Sequence, residues 1–146
     1  MYSLRYTKGV KVIKKIKAEF FRTAVGNEPV RDELLDLGRP VKTEVGTDIR
    51  FVENNWRLDR PYVDLLRRGS GRFEESIYEV RHTVEKSEYR TLFFVFGDRM
   101  ILVHFFQKKT QKTPKKEIDV AWARMKEWVR GERESGVNLA KGAKRS

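Results

Sequence analysis

Apolar residues recur at every third or fourth position in some stretches and at every second position in others. That change of period divides the chain into elements. Residues 18–25, AEFFRTAV, are rich in aromatic and small apolar side chains, and Gly26-Asn27 follows as a turn signal, which predicts a first strand. Next, NEPVRDELLDLG offers Asn27 or Glu28 as a cap, Pro29 for the first turn and Gly38 for the C′ position. Val30, Leu34 and Leu37 share one face, so a short helix is predicted. A second helix starts at Pro40, with Val41, Val45, Ile49, Val52 and Trp56 forming one apolar stripe. The two short helices predict an αα-hairpin lying on a sheet. Residues 57–72, with Pro61, Gly69 and Gly71, read as a loop anchored by Leu65 and Leu66.

From residue 77 to 107 the period shortens to two. Three β-rich runs, 77–84, 89–96 and 100–107, are separated by EKSE and by Gly97-Asp98-Arg99, so an antiparallel meander is the economical topology. Alternation puts Ile77, Glu79, Arg81 and Thr83 on one face and Tyr78, Val80, His82 and Val84 on the other. The last two runs are apolar on both faces, which predicts central strands covered on both sides. Thr113-Pro114 then opens a third helix, whose stripe is Ile118, Ala121, Trp122, Met125, Trp128 and Val129, with Gly131 as its expected end. The order β, α, α, β, β, β, α predicts an α+β domain. Its expected parts are a basic N-terminal arm at 1–16, a folded domain at 17–131 and a flexible C-terminal tail at 132–146.

Composition changes the picture through charge. The 146 residues carry 32 basic and 21 acidic side chains, a formal net charge of +11. Such a balance points to a phosphate polymer or an anionic membrane as partner. No apolar run approaches the roughly 18 residues of a membrane span, and the N-terminus lacks the apolar segment of a secretory signal. The expectation is therefore a cytoplasmic protein with a nucleic-acid partner and no membrane. Without cysteine, disulfides and thiolate metal sites are excluded. The two histidines, His82 and His104, lie apart with no second ligand at helical spacing, so neither metal nor cofactor is expected.

The candidate chemistry is cationic. Arg81 and Arg90 each interrupt an apolar or β-branched strand, where a guanidinium is costly unless paired or wet. One reading is an internal salt bridge to Glu79 or Glu88. The other is a concave site in which Arg81, Arg90, Lys108 and Lys109 clamp a phosphodiester and stabilise its transition state. His82 and His104 are acid–base candidates because only they titrate near neutrality unperturbed, although their apolar neighbours equally suit hydrogen-bonded core histidines. FFQKKTQKTPKKEI places Lys112, Lys115 and Lys116 just beyond the last strand, as candidate RNA contacts.

The segment IYEVRHTVEKSEYRTLFFVFGDRMILVHFFQKKTQKTPKKEIDVAWARMKEW resembles the RelE/HigB superfamily of type II toxin–antitoxin toxins, and within it a phage-derived-like HigB group. The resemblance rests on Tyr78-Glu79-Val80-Arg81, Tyr89-Arg90 and Phe106-Gln107-Lys108-Lys109-Thr110-Gln111-Lys112-Thr113-Pro114, followed by Ala121 and Arg124. It implies a RelE-like fold, a mostly antiparallel sheet packed by an N-terminal helix pair and a C-terminal helix. It also implies ribosome-dependent cleavage of mRNA and neutralisation by a cognate antitoxin, often a helix-turn-helix DNA-binding protein. By position, Arg81 and Arg90 match the family's catalytic cations, and Lys108 or Lys109 would add a third. The chain departs from the pattern in lacking a Tyr or His acid after the last strand. Two other functions suit the same scaffold: a gyrase poison, and a non-catalytic nucleic-acid-binding protein.

Overall fold

The computed structural model describes residues 13–70 and 75–145. It is α+β, in the order β1 (Lys17–Phe20), α1 (Pro29–Leu37), α2 (Val41–Asn54), β2 (Val63–Arg67), β3 (Ile77–Val84), β4 (Ser87–Phe96), β5 (Arg99–Lys108) and α3 (Lys115–Arg145). The five strands form one sheet in the order β1-β5-β4-β3-β2. Neighbours are antiparallel except β1, which runs parallel to β5. The expected meander is β3–β4–β5, and β4 and β5 are interior strands as their two-sided apolar pattern requires.

The helix pair and α3 cover opposite faces. On one face Val30, Leu34, Val41, Val45, Ile49 and Val52 pack on Tyr78, Val80, Phe93 and Phe105. On the other, Ala121, Met125 and Val129 pack on Ile77, Leu92, Phe94 and Phe106. Phe93 and Phe94 are consecutive, point to opposite faces and are both fully buried. Each contributes about 1.5–3 kcal/mol of transfer free energy.

Three expectations are corrected. Residues 57–72 are not all loop, because β2 pairs antiparallel with β3 through Val63↔Val80 and Asp64↔Glu79. The five residues VDLLR, with Leu65 and Leu66 adjacent, carry little period-two signal, and the strand is set by its pairing with the edge of β3. The first strand is only Lys17–Phe20, since the chain turns back at Thr23–Asn27 through Thr23 N–H to Asn27 O at 2.8 Å and Gly26 N–H to Thr23 O at 2.9 Å. The third helix does not stop at Gly131 but continues to Arg145. A helical glycine costs only about 1 kcal/mol against alanine, and no proline follows. Glu132 and Arg133, assigned to the tail, are tied to the body by Arg99 at 2.9 Å and by Glu75 at 3.0 Å.

Ile16 is buried in the core, and Lys14 bridges Trp56, so packing begins ahead of β1. The rest of the predicted arm, 1–12, lies outside the described residues. Among these residues no helix is long and apolar enough to cross a membrane.

Candidate active site

The burial pattern along β3 shows where the α3 face of the sheet opens. Ile77 and Glu79 are covered, whereas Arg81 and Thr83, further along the same face, are exposed. The cover ends at Thr113, whose hydroxyl donates to the Glu79 carboxylate from the far end of the lysine-rich loop. Beyond that point three strands present cations together. Arg81 stands directly opposite Arg90, and Lys108 stands opposite Glu88, two positions along β4 from Arg90. Side chains opposite one another share a face, so Arg81, Arg90 and Lys108 lie together at this end of the sheet, Arg81 exposed, Lys108 half-buried and Arg90 buried.

The two arginines are held differently. Arg90 is buried; its Nε lies 3.5 Å from Glu79 Oε1, and one terminal nitrogen lies 3.1 Å from Glu88 Oε1 and donates to the Tyr89 carbonyl at 2.8 Å. The expected internal salt bridge is thus present at Arg90, with both candidate carboxylates as partners. At Nε the geometry falls short of a hydrogen bond, leaving a buried donor unsatisfied. Arg81 is 39% exposed and sits 3.7 Å from Asp64, whose carboxylate is already engaged by Arg60 through bonds of 3.0 and 3.2 Å. Arg81 is therefore loosely held and free to turn toward a bound anion.

Glu88 completes the cluster. Burial pushes its carboxyl up, but the Thr83 hydroxyl, the Arg90 guanidinium and Lys108 outweigh that and hold it below the usual carboxylate range. Lys109, Lys112, Lys115 and Lys116 are exposed along the loop and the start of α3. Lys115 is drawn back to Asp119 at 2.8 Å, whereas the loop turns on itself through Thr110 Oγ1 to the Lys112 carbonyl at 2.7 Å.

His82 is not part of this cluster. It lies on the opposite face, 1% exposed, with Nδ1 2.8 Å from Asp48 Oδ2 and Nε2 2.7 Å from Thr91 Oγ1. The Asp–His–Thr chain has the connectivity of a nucleophilic triad. Thr91, however, is fully buried between strands, so no substrate atom reaches its hydroxyl. His82 is a hydrogen-bonded core histidine. His104 is on the cation face, opposite Leu92, but turns to α3, with Nε2 2.7 Å from Glu117 Oε1 and its ring stacked on Phe106. The same corner holds Glu33, whose carboxyl burial raises against the pull of His104 and Arg124. His104 thereby fixes the first turn of α3 to β5, just after the lysine-rich loop.

Among the described residues no group of three or more His, Asp or Glu side chains comes together to hold a metal. In the sequence Glu79 is a possible ion-pair partner and a member of the motif Tyr78-Glu79-Val80-Arg81. Its second contact, to Thr113 in the KTP turn, bridges 34 residues. No local signal carries such a tie, nor the sharing of Asp64 by Arg60 and Arg81.

Residues 32–126 match the family described as "Phage derived protein Gp49-like (DUF891)". The chain is 31% identical over 117 residues to "Probable endoribonuclease HigB1" of Mycobacterium tuberculosis, in strains CDC 1551 / Oshkosh and ATCC 25618 / H37Rv. Each alignment spans 77% of this chain and 84% of the relative. The matched segment contains both sheet faces, the lysine-rich loop and the first turns of α3. With its sheet, helix pair and motif residues in place, the chain belongs to the Gp49-like family of phage-derived proteins, among the RelE/HigB-type toxins.

Proposed function

We propose that this toxin is a ribosome-dependent endoribonuclease that cuts mRNA, inhibits translation and is neutralised by a cognate antitoxin of the helix-turn-helix DNA-binding kind. The observation that carries the reading is the grouping of Arg81, Arg90 and Lys108 from three adjacent strands on one face, with Arg81 exposed beside buried Arg90. The endoribonuclease name of the HigB1 relatives supports it.

RNA brings its own nucleophile. The ribose 2′-hydroxyl gives its proton to water as it attacks the neighbouring phosphorus, the bond to the 5′-oxygen breaks, that oxygen takes up a proton, and a 2′,3′-cyclic phosphate and a 5′-hydroxyl result. Negative charge grows on the non-bridging oxygens during the attack, and preorganised guanidinium groups stabilise it. Arg90, fixed by Glu79 and Glu88, supplies the rigid charge. Arg81, loosely held by Asp64, swings onto the phosphate. Lys108, with Lys109 beside it in sequence, adds a third charge and an ammonium able to give a proton to the departing 5′-oxygen. The guanidinium groups do the work that a metal ion does in other nucleases, so the cleavage is metal-independent. The ribosome aligns the 2′-oxygen for in-line attack, a contribution of orientation rather than acid–base strength.

The test is incubation of the purified protein with a defined message, alone and loaded on ribosomes. The expected result is cleavage only on the ribosome, with 5′-hydroxyl ends on the downstream fragments. An intact message on ribosomes in the presence of folded protein would overturn the reading.

A further inference from the structure

The cation cluster has an aromatic neighbour that the toxin chemistry leaves unexplained. Phe51, on α2, is 44% exposed and Tyr62, just before β2, is 51% exposed, yet their rings lie 5.2 Å apart at 46°. Neither ring joins the hydrophobic clusters on the two faces of the sheet. Tyr62 is held in place by a tight turn, its N–H bonded to the Asp59 carbonyl at 3.0 Å and that of Val63 to the same oxygen at 3.1 Å. Phe51 sits on a rigid helix. Two large rings from separate elements are thus kept together at the surface, at a cost in exposed apolar area.

The cleft beside them is lined by Asp48, Phe51, Val52, Pro61, Tyr62, Val80 and Arg81. Val52, Val80 and Asp48 belong to the helix-pair face and Arg81 to the α3 face, so the cleft meets the cation cluster around the edge of β3, where β2 pairing begins only at Val80. The carboxylates nearby are engaged, Asp48 by His82 and Asp64 by Arg60, while Arg60 and Arg81 remain largely exposed. The two arginines and two aspartates balance in charge, but the arginines are the more exposed, and an aromatic platform next to exposed cations is the arrangement that holds single-stranded nucleic acid. Unstacked bases lie on rings of this kind whatever their identity, because every base has a π-face.

We propose that Phe51 and Tyr62 form a stacking platform for an unpaired nucleobase of the message, next to the phosphate that Arg81 and Arg90 hold. The inference rests on the endoribonuclease reading. It adds a binding site whose work is to fix the nucleotide, not to carry charge in the transition state.

The experiment compares wild type with Phe51→Ala, Tyr62→Ala, the double alanine variant and Tyr62→Phe. Cleavage of a ribosome-loaded message gives kcat and KM, and 2-aminopurine placed along a non-cleavable 2′-O-methyl message on ribosomes reports stacking by quenching. The expected result is a rise in KM of roughly fivefold to a hundredfold for each alanine variant. Quenching at one position should be lost, melting temperature kept, and Tyr62→Phe should behave as wild type. Alanine variants with unchanged KM and quenching, beside a wild type that cleaves, would overturn the platform and leave the nuclease reading standing. A wild type that does not cleave would remove the nuclease reading itself, and the platform with it. Loss of antitoxin binding with cleavage unchanged would assign the rings to a protein contact and also overturn the proposal.

Discussion

Glu79 and Arg90 form an ion pair in which both side chains are almost completely buried, 2% and 7% exposed, at 3.5 Å between Oε1 and Nε. Glu79 also accepts from Thr113, so one carboxylate joins a candidate catalytic cation to the turn that leads into α3. Removing one partner of a buried pair strands the other charge and typically costs about 3–5 kcal/mol. Glu79→Gln is expected near the low end, because Glu88 still holds Arg90. Arg90→Ala strands Glu79 and is expected at the high end. Chemical denaturation of the two variants checks the order.

His82 tests the difference between a histidine that looks catalytic and one that acts. Its ring bonds both Asp48 and the buried hydroxyl of Thr91. His82→Ala removes the ring and leaves a buried hydroxyl unpaired, a combination expected to lower stability by about 2–4 kcal/mol. The cleavage rate per folded molecule should stay within a factor of two or so of wild type. A stable variant with activity down a hundredfold would return His82 to the site.

The alternation along β3 already contained that distinction. IYEVRHTV puts His82 and Arg81 on opposite faces, and the structure keeps them there. The helix stripes Val41–Val45–Ile49–Val52 and Ala121–Met125–Val129 were equally legible, since burial alone sets them. What the sequence left hidden depends on distant segments meeting. Examples are the pairing of VDLLR with the β3 edge, the tie from Thr113 to Glu79, and the exposure of Phe51, which differs from buried Val52 beside it only by the turn of the helix. The continuation of α3 through Gly131 was hidden because a glycine read as a stop when nothing else marked one.

Glu88 makes the stability of the fold depend on pH. Its carboxyl is held below the ordinary range by Thr83, Arg90 and Lys108 against the effect of burial. A folded-state value below the unfolded one stabilises the fold above the unfolded pKa. That contribution is lost as pH falls through the lower, folded value. The stability difference between wild type and Glu88→Gln should therefore be constant from neutral pH down to about pH 5 and shrink below the usual carboxylate range. Thermal melting of both proteins across that interval measures it. A difference that grows on acidification would contradict the assignment.

The exposed lysines separate binding from chemistry. Lys112 and Lys116 are unburied, and each alanine substitution should weaken RNA binding without sequence preference and reduce the salt slope by about one. Lys115 is drawn toward Asp119, so Lys115→Ala should move the slope less. Affinity measured over a range of salt concentrations distinguishes them. Equal slopes for all three variants would mean that the ion pair with Asp119 does not restrain Lys115.

Arg81 offers the most direct test of a catalytic cation cluster, because structure and chemistry come apart there. It is 39% exposed and only 3.7 Å from a carboxylate already committed to Arg60, so its loss should cost the fold no more than about 1 kcal/mol. As a charge aimed at the phosphate it should be worth about 3–4 kcal/mol in the transition state, or roughly 10²–10³ in rate. Arg81→Lys should recover only part of this, since an ammonium lacks the planar fork. The measurement is the single-turnover rate of ribosome-loaded message cleavage by wild type and Arg81→Ala, with melting temperature taken on the same preparations. A catalytic Arg81 requires an Arg81→Ala protein that melts within a few degrees of wild type and cleaves at least a hundredfold more slowly. An Arg81→Ala protein that is equally stable and cleaves at the wild-type rate would contradict it.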